Sequence, residues 1–296
     1  MNIRYRLPFL ILFVTTICFG CASIEDDFYI DEIDTEILQE DEPYLGSVDT
    51  SYTVVLPDEE PYDCPTDAAD TQVDDPTRVI CIDEDDSFAT LSGEELFDGD
   101  RTMIVDLLEL FPDYMRENVV LVSFSSLPSS EGVASMNALY EDNSHWEMWI
   151  NTNPDLEETY EDWVDTLAHE LMHYISLSPT VVNLEDESCG ITYEASGYCP
   201  IDGSFFAEYI RLFWEPIYGE WTTENYNEYY DANPDDFVTP YAVSEPAEDI
   251  AETFAKFVFR ERPTDISTIK EQKIDFFWQS EAFVSMRSDI QDAYRE

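Results

Sequence analysis

One stretch constrains this chain more than any other: residues 166–175, which read Thr-Leu-Ala-His-Glu-Leu-Met-His-Tyr-Ile. Apolar residues recur there at helical spacing, and no helix breaker follows until Pro179. Two of the 3 histidines in the chain, His169 and His173, lie four positions apart. Because residues at that spacing share one face of a helix, the stretch predicts a core helix that directs two imidazoles at a common point.

Two histidines on one helical turn form half of a zinc site. Glu170 is rotated by about 100° from His169, which takes it off the ligand position but leaves it beside a metal-bound water. Zinc lowers the pKa of such a water to about 7, and a neighbouring carboxylate takes its proton as the water attacks a carbonyl carbon. The pattern therefore indicates hydrolysis of an amide bond with Glu170 as general base. The alternative is a pair of solvated histidines on a surface helix, which the apolar flanks disfavour.

Charge limits the partners of this protein. The chain has 13 basic and 67 acidic residues, a formal net charge of -54. A field of that sign repels nucleic acid and anionic lipid headgroups. We therefore expect a peptide or protein substrate, no nucleic acid, and membrane contact only through the N-terminus.

The N-terminus has the composition of an export signal. Arg4 and Arg6 precede an apolar run over residues 7–20 that is too short to span a bilayer comfortably. The pair Gly20-Cys21 resembles the cleavage site of bacterial lipoproteins, which implies removal of residues 1–20 as a signal peptide and lipidation of Cys21. The expected location is the outer membrane or the cell surface. The alternatives are an uncleaved N-terminal anchor, or ordinary secretion with a periplasmic or secreted location.

Four further cysteines follow the signal. An even number in an exported chain indicates disulfides, and the simplest of three connectivities is Cys64–Cys81 with Cys189–Cys199. The sequence does not choose among the three.

The expected domain organisation follows from composition. Residues 21–87 are strongly acidic and read as a largely extended tether, although the apolar piece at 52–56 is expected to dock on the domain. A compact domain is expected over residues 88–296. Its patterns predict a small mixed sheet, the active-site helix and a mostly helical C-terminal subdomain, an α+β fold.

The third metal ligand is the open question for the site. A catalytic zinc takes three protein ligands, and the one remaining histidine, His145, falls in a turn where we expect it to be exposed. A metzincin would need Gly and His where the chain has Ser176 and Pro179. The third ligand is therefore predicted to be a carboxylate. Residues 241–258 have the best pattern for it, a helix with Ser244 as its expected cap.

That stretch contains Glu248-x-x-Ala251-Glu252. The pattern resembles the second motif of gluzincins, whose first acid binds zinc and whose second acid hydrogen-bonds a ligand histidine. The resemblance implies Glu248 as the third zinc ligand and Glu252 as the residue that orients an imidazole. Alternative ligands at this point are Asp249, Glu194 and Asp202.

Two further expectations come from resemblance. Tyr241 lies seven positions before Glu248, as in lethal-factor-type peptidases, where such a tyrosine stabilises the oxyanion; a packing role is the alternative. The order of sheet and active helix resembles zincins, in which an edge strand binds the extended substrate, and this implies Trp146–Ile150 as the platform. The overall expectation is a zincin-like zinc metallopeptidase, with a non-catalytic cell-surface binding or adhesion protein on the same fold as the alternative.

Overall fold

The computed structural model describes residues 52, 54–56, 62–65, 70–82, 87–93, 98–156, 159–184, 189 and 198–295. The expected signal peptide, the lipidation site Cys21 and the candidate ligand Glu194 lie outside these residues. None of the helices in the described part combines the length and the apolar content needed to cross a bilayer.

A five-stranded mixed sheet forms one layer of the fold. Its strands are β1 Arg78–Ile82, β2 Phe88–Gly93, β3 Val119–Ser125, β4 Ala134–Ala138 and β5 Trp146–Asn151. They lie in the order β2-β1-β3-β5-β4; β3 and β5 are parallel, and the other neighbours are antiparallel. The interior strands β3 and β5 are buried along their whole length, as expected from their continuous apolar runs.

Helices form the second layer and most of the C-terminal part. The expected α+β class, with a small mixed sheet and a mostly helical C-terminal region, is therefore confirmed. The helices are α1 Asp98–Leu110, α2 Tyr160–Ser176, α3 Phe205–Phe213, α4 Tyr226–Ala232, α5 Pro246–Phe259, α6 Ile269–Trp278 and α7 Glu281–Arg295. A short hairpin of β6 Val182–Asn183 and β7 Cys199–Pro200 separates α2 from α3.

Helix α2 is fixed at its start by a capping box. The Thr159 hydroxyl accepts a bond from the Asp162 amide, and the Asp162 carboxylate accepts one from the Thr159 amide. From this start, α2 packs along α5 and against β4, and most of its residues after the first turn are buried. The predicted core helix over 166–175 is thus present.

Two local predictions were wrong. Strand β5 pairs with β3 on one side and β4 on the other, so Trp146–Ile150 is interior and β4 is the edge strand beside α2. His145 is only 7% exposed because its ring packs against Tyr62 and Tyr140. Turn residues are usually exposed, but here the N-terminal segment covers the turn.

Both predicted disulfides are present, Cys64–Cys81 and Cys189–Cys199. The first joins the N-terminal segment to β1, and the second joins Cys189 to β7. Two disulfides in one chain indicate an oxidising compartment, since cytosolic thiols are kept reduced.

The N-terminal segment takes part in the fold before residue 88. Strand β1 lies between β2 and β3, so residues that the acidic composition assigned to the tether belong to the sheet. Upstream, the Tyr52 ring stacks on Phe276 at 4.8 Å and its hydroxyl donates to the Phe276 carbonyl oxygen at 3.0 Å. The Thr180 hydroxyl donates to the Val55 carbonyl oxygen at 3.0 Å. Residues 52 and 54–56 therefore contact both α6 and the loop that follows α2.

We predict that Tyr52→Ala lowers the free energy of unfolding by about 1–3 kcal/mol, because a half-buried ring and a hydrogen bond are lost. Tyr52→Phe keeps the ring and should cost about 1 kcal/mol or less. Urea denaturation measures both, with Tyr160→Phe, at a half-exposed tyrosine, as control. Identical midpoints for Tyr52→Ala and the unmodified protein would contradict the docking.

Candidate metal centre

Two helices supply the residues of the site. His169 and His173 project from the middle of α2, and Glu248 projects from the first turn of α5. The three residues are 5%, 8% and 5% exposed, respectively. Helix α5 begins after Glu245 with Pro246 in its first turn. Ser244 does not cap α5 as predicted, because its hydroxyl donates to the Tyr241 carbonyl oxygen at 2.8 Å.

Three potential ligand atoms converge between these helices. The Nε2 atoms of His169 and His173 are 3.0 Å apart. Oε2 of Glu248 lies 3.1 Å from the first and 3.3 Å from the second. Among the described residues, this is the one group of histidine, cysteine or acidic side chains that meets in this way.

The geometry fits a metal ion. Ligands at the usual zinc distances are about 3.3 Å apart in a tetrahedron, close to the separations found here. Oε2 of Glu248 is buried and makes no hydrogen bond of ordinary geometry, a costly arrangement that a cation would satisfy. His169, His173 and Glu248 can therefore hold a metal ion. Two imidazoles and one carboxylate do not identify the ion by themselves, since several transition metals accept that donor set.

The histidines and the acids of this cluster shift each other's pKa values. Burial would lower the pKa of His169, but the close contacts with the carboxylates of Glu248 and Glu252 outweigh it and raise that pKa well above its usual value. Burial would raise the pKa of Glu248, yet the two histidines hold that pKa well below its usual range. A metal ion takes the place of such protons, so its binding releases them.

Glu252 supports the ligand His169 from the side away from the cluster. Its Oε1 lies 3.0 Å from His169 Nδ1, one helical turn after Glu248. A proton held on Nδ1 by this carboxylate leaves Nε2 free to bind a metal. Burial would raise the pKa of Glu252, but the contact with His169 lowers it, and attraction from Lys256 and a hydrogen bond with Thr239 contribute.

Glu170 lies beside the cluster without belonging to it. It is 3% exposed, and the backbone amide of Met136 in β4 donates to its carboxylate. Burial raises the pKa of Glu170, and the nearby Glu248 adds to that rise while the two histidines oppose it. A carboxyl whose pKa is raised towards neutrality can both accept and return a proton.

Tyr241 is brought to the same place by the loop before α5. Its ring centroid is 6.1 Å from that of His169. The loop is held by neighbouring bonds: the Ala242 amide donates to the Thr239 hydroxyl at 3.1 Å, and the Trp221 indole donates to the Val243 carbonyl oxygen at 2.8 Å. The Tyr241 ring thus lies next to His169 on a loop that these bonds stabilise.

The alternative ligands do not join the group. Asp249 faces the other side of α5, where its Oδ2 pairs with Lys273 at 2.8 Å. Asp202 is exposed and is not part of the group. Sequence reasoning missed the Met136 amide, Thr239 and Lys256, because a backbone amide carries no sequence signal and the two side chains belong to no spaced motif.

We predict that the protein binds one divalent metal ion through this group. At free zinc about 100-fold above the dissociation constant, the free energy of unfolding should rise by about 2.7 kcal/mol. Glu248→Gln removes the anionic ligand and should abolish most of that gain, whereas Asp202→Asn should preserve it. Urea denaturation with and without zinc tests this, and equal zinc stabilisation of the two variants would contradict Glu248 as ligand.

No family model, no curated protein and no solved structure matches this chain. A fold alone does not define an activity, which depends on the side chains of a site. The function must therefore be inferred from the geometry of this cluster and its neighbours.

Proposed function

We propose that this protein is a zinc-dependent peptidase with a zincin-like fold, in which His169, His173 and Glu248 bind the metal. One observation carries the proposal: a three-residue ligand group lies next to a buried acid, Glu170, that is not part of it. Structural zinc sites usually have four protein ligands, whereas catalytic sites have three and keep a position for water.

Glu170 is the proposed general base and acid. A zinc ion held by His169, His173 and Glu248 would lower the pKa of a water and would act as a Lewis acid towards the substrate carbonyl. The Glu170 carboxylate accepts the proton of the attacking water and then delivers it to the leaving amine. The Met136 amide favours the charged form of this carboxylate, which is the form that accepts the proton.

Tyr241 is the proposed electrophilic partner. Its position beside His169 allows the phenol hydroxyl to donate to the carbonyl oxygen as negative charge develops there. Glu252 does not contact substrate in this scheme; it maintains the protonation state and the orientation of His169.

Strand β4 is the proposed platform for an extended peptide. The Asn151 amide donates to the Val133 carbonyl oxygen and the Leu139 amide donates to the His145 carbonyl oxygen, each at 2.8 Å. Backbone groups alternate along an antiparallel strand, so those of Ala134, Met136 and Ala138 face away from β5. A peptide added at this edge would lie next to Glu170, because the backbone amide of Met136 in β4 interacts with the Glu170 carboxylate.

The compartment narrows the substrate class. The disulfides indicate an oxidising environment, and the lipoprotein-like Gly20-Cys21 sequence favours an anchor on the outer membrane or cell surface. The proposed substrates are peptides or proteins of that environment. A net charge of -54 disfavours strongly acidic ones.

We predict that Glu170→Gln keeps zinc but lowers peptide cleavage by about 10²–10⁴-fold, because proton transfer is lost while the ligands remain. Cleavage of a mixed peptide library by zinc-loaded protein, followed by mass spectrometry, gives the measurement. Glu161→Gln, in the exposed first turn of the same helix, is the matched control and should cleave normally.

The same library separates the two functional classes. Chelator-sensitive cleavage by the unmodified protein supports the peptidase. A folded, zinc-loaded sample that cleaves nothing in the library would favour a non-catalytic binding or adhesion protein.

We also predict that Tyr241→Phe lowers kcat by about 10²-fold with zinc affinity unchanged, since one donor to the oxyanion is removed. Tyr160→Phe, on the surface of α2, serves as the comparison. Normal turnover by Tyr241→Phe would leave the tyrosine with a packing role only.

A further inference from the structure

A second buried charge cluster lies directly behind the metal centre. Nζ of Lys273, on α6, is 2.8 Å from Oδ2 of Asp249, on α5, and both side chains have 0% exposure. The indole of Trp214 donates to the same Oδ2 at 2.8 Å. The ammonium also lies over the Phe237 ring, 3.9 Å from its centroid. None of these groups contributes to the proposed reaction.

Stability gives a weak reason for such a pair. Two ions removed from water lose their hydration free energy, and their mutual attraction offsets that loss only when the geometry of the pair is near ideal. Well-packed apolar residues often stabilise such a position equally well. A fully buried Lys–Asp pair therefore calls for an explanation in terms of specific positioning.

The position of Asp249 in the chain supplies that explanation. Asp249 follows the ligand Glu248 directly, so the two side chains leave α5 about 100° apart. Glu248 points to α2 and the histidines, whereas Asp249 points to α3 and α6. An anchor on one side of α5 thus fixes the rotation of the helix that presents the ligand on the other side.

The required precision is high. A carboxylate about 6 Å from a helix axis moves by about 1 Å when the helix turns by about 10°. A displacement of about 1 Å in a catalytic site can cost about 10²-fold in rate. An ion pair that also accepts the Trp214 hydrogen bond limits such rotation more strictly than apolar contacts, which have no preferred direction.

Neighbouring contacts support the same helical turn. The Tyr209 hydroxyl lies 3.0 Å from the Thr253 hydroxyl and donates to the Asp249 carbonyl oxygen at 3.4 Å. These bonds involve α3, so α5 is held from both α3 and α6 next to its ligand-bearing turn.

We propose that Lys273 and Asp249 are positioning residues for the metal centre: their ion pair fixes the rotation of α5 and thereby the place of Glu248 opposite His169 and His173. This role rests on the proposed function of the site as a zinc centre. Neither residue contacts the metal or the substrate.

The test removes both charges together, since a single substitution leaves a buried ion and can prevent folding. Lys273→Met with Asp249→Asn keeps the volume and an acceptor for the Trp214 indole. The matched control is Arg262→Gln with Asp275→Asn, which removes another ion pair of α6 with the same 2.8 Å separation but with a half-exposed arginine. Trp214→Phe is a third variant that removes the bond to Asp249 and also shortens a buried ring packed against Trp221 and Phe237.

The measurements separate positioning from stability. Zinc affinity is determined by chelator competition well below the melting temperature, and bound cobalt(II) reports the coordination geometry through its visible absorption. We expect the buried double variant to fold and to melt within a few degrees of the unmodified metal-free protein. Its zinc affinity should fall by about 10- to 100-fold with an altered cobalt spectrum, and Trp214→Phe should shift both in the same direction.

Several results would overturn the role. If the Lys273→Met/Asp249→Asn variant folds and keeps its zinc affinity and cobalt spectrum, the role is overturned. An equal loss of zinc affinity in the Arg262/Asp275 control would also overturn it. If the double variant does not fold, Trp214→Phe decides, and unchanged zinc affinity there counts against the role. Failure of the proposed zinc site gives another result, because the unmodified protein and the control would then both bind no zinc.

Discussion

The contact between α2 and α5 is the interaction on which the site depends. It buries two imidazoles and several carboxylates that would be hydrated in an unfolded chain, and burial of such groups is tolerated only where opposite charges meet. Helix α5 satisfies this condition at successive positions. Glu248 and Glu252 face the histidines of α2, Asp249 faces Lys273, and Lys256 pairs with Asp165 of α2 at 2.8 Å.

The overall charge of the chain makes the position of its few basic residues significant. With 13 basic residues against 67 acidic ones, cations are scarce in the chain. Two of its lysines nevertheless lie at α5, one of them fully buried. The acids Glu248 and Glu252 at the ligand cluster lie opposite histidines, and a divalent cation bound there would balance their negative charge.

Sequence reasoning succeeded where the information is local. The spacing of His169 and His173 fixes their common face on one helix, and the pattern around Glu248 placed it on a second helix. It failed where the outcome depends on tertiary pairing. An apolar strand such as β5 has the same pattern whether it lies at an edge or inside, and only the partners β3 and β4 decide. The Lys273–Asp249 contact likewise joins two helices that share no motif.

Glu170 is the residue on which the proposed catalysis depends. Its burial raises the pKa of its own carboxyl, and in addition to the Met136 amide its neighbours include the acid Glu248, so this side chain gains little stability from its position. A site that only stored a metal would be better served by an apolar residue on that face of α2. A buried carboxylate beside the group of potential ligands and close to the edge strand β4 is what the proposed proton transfer to a substrate would require.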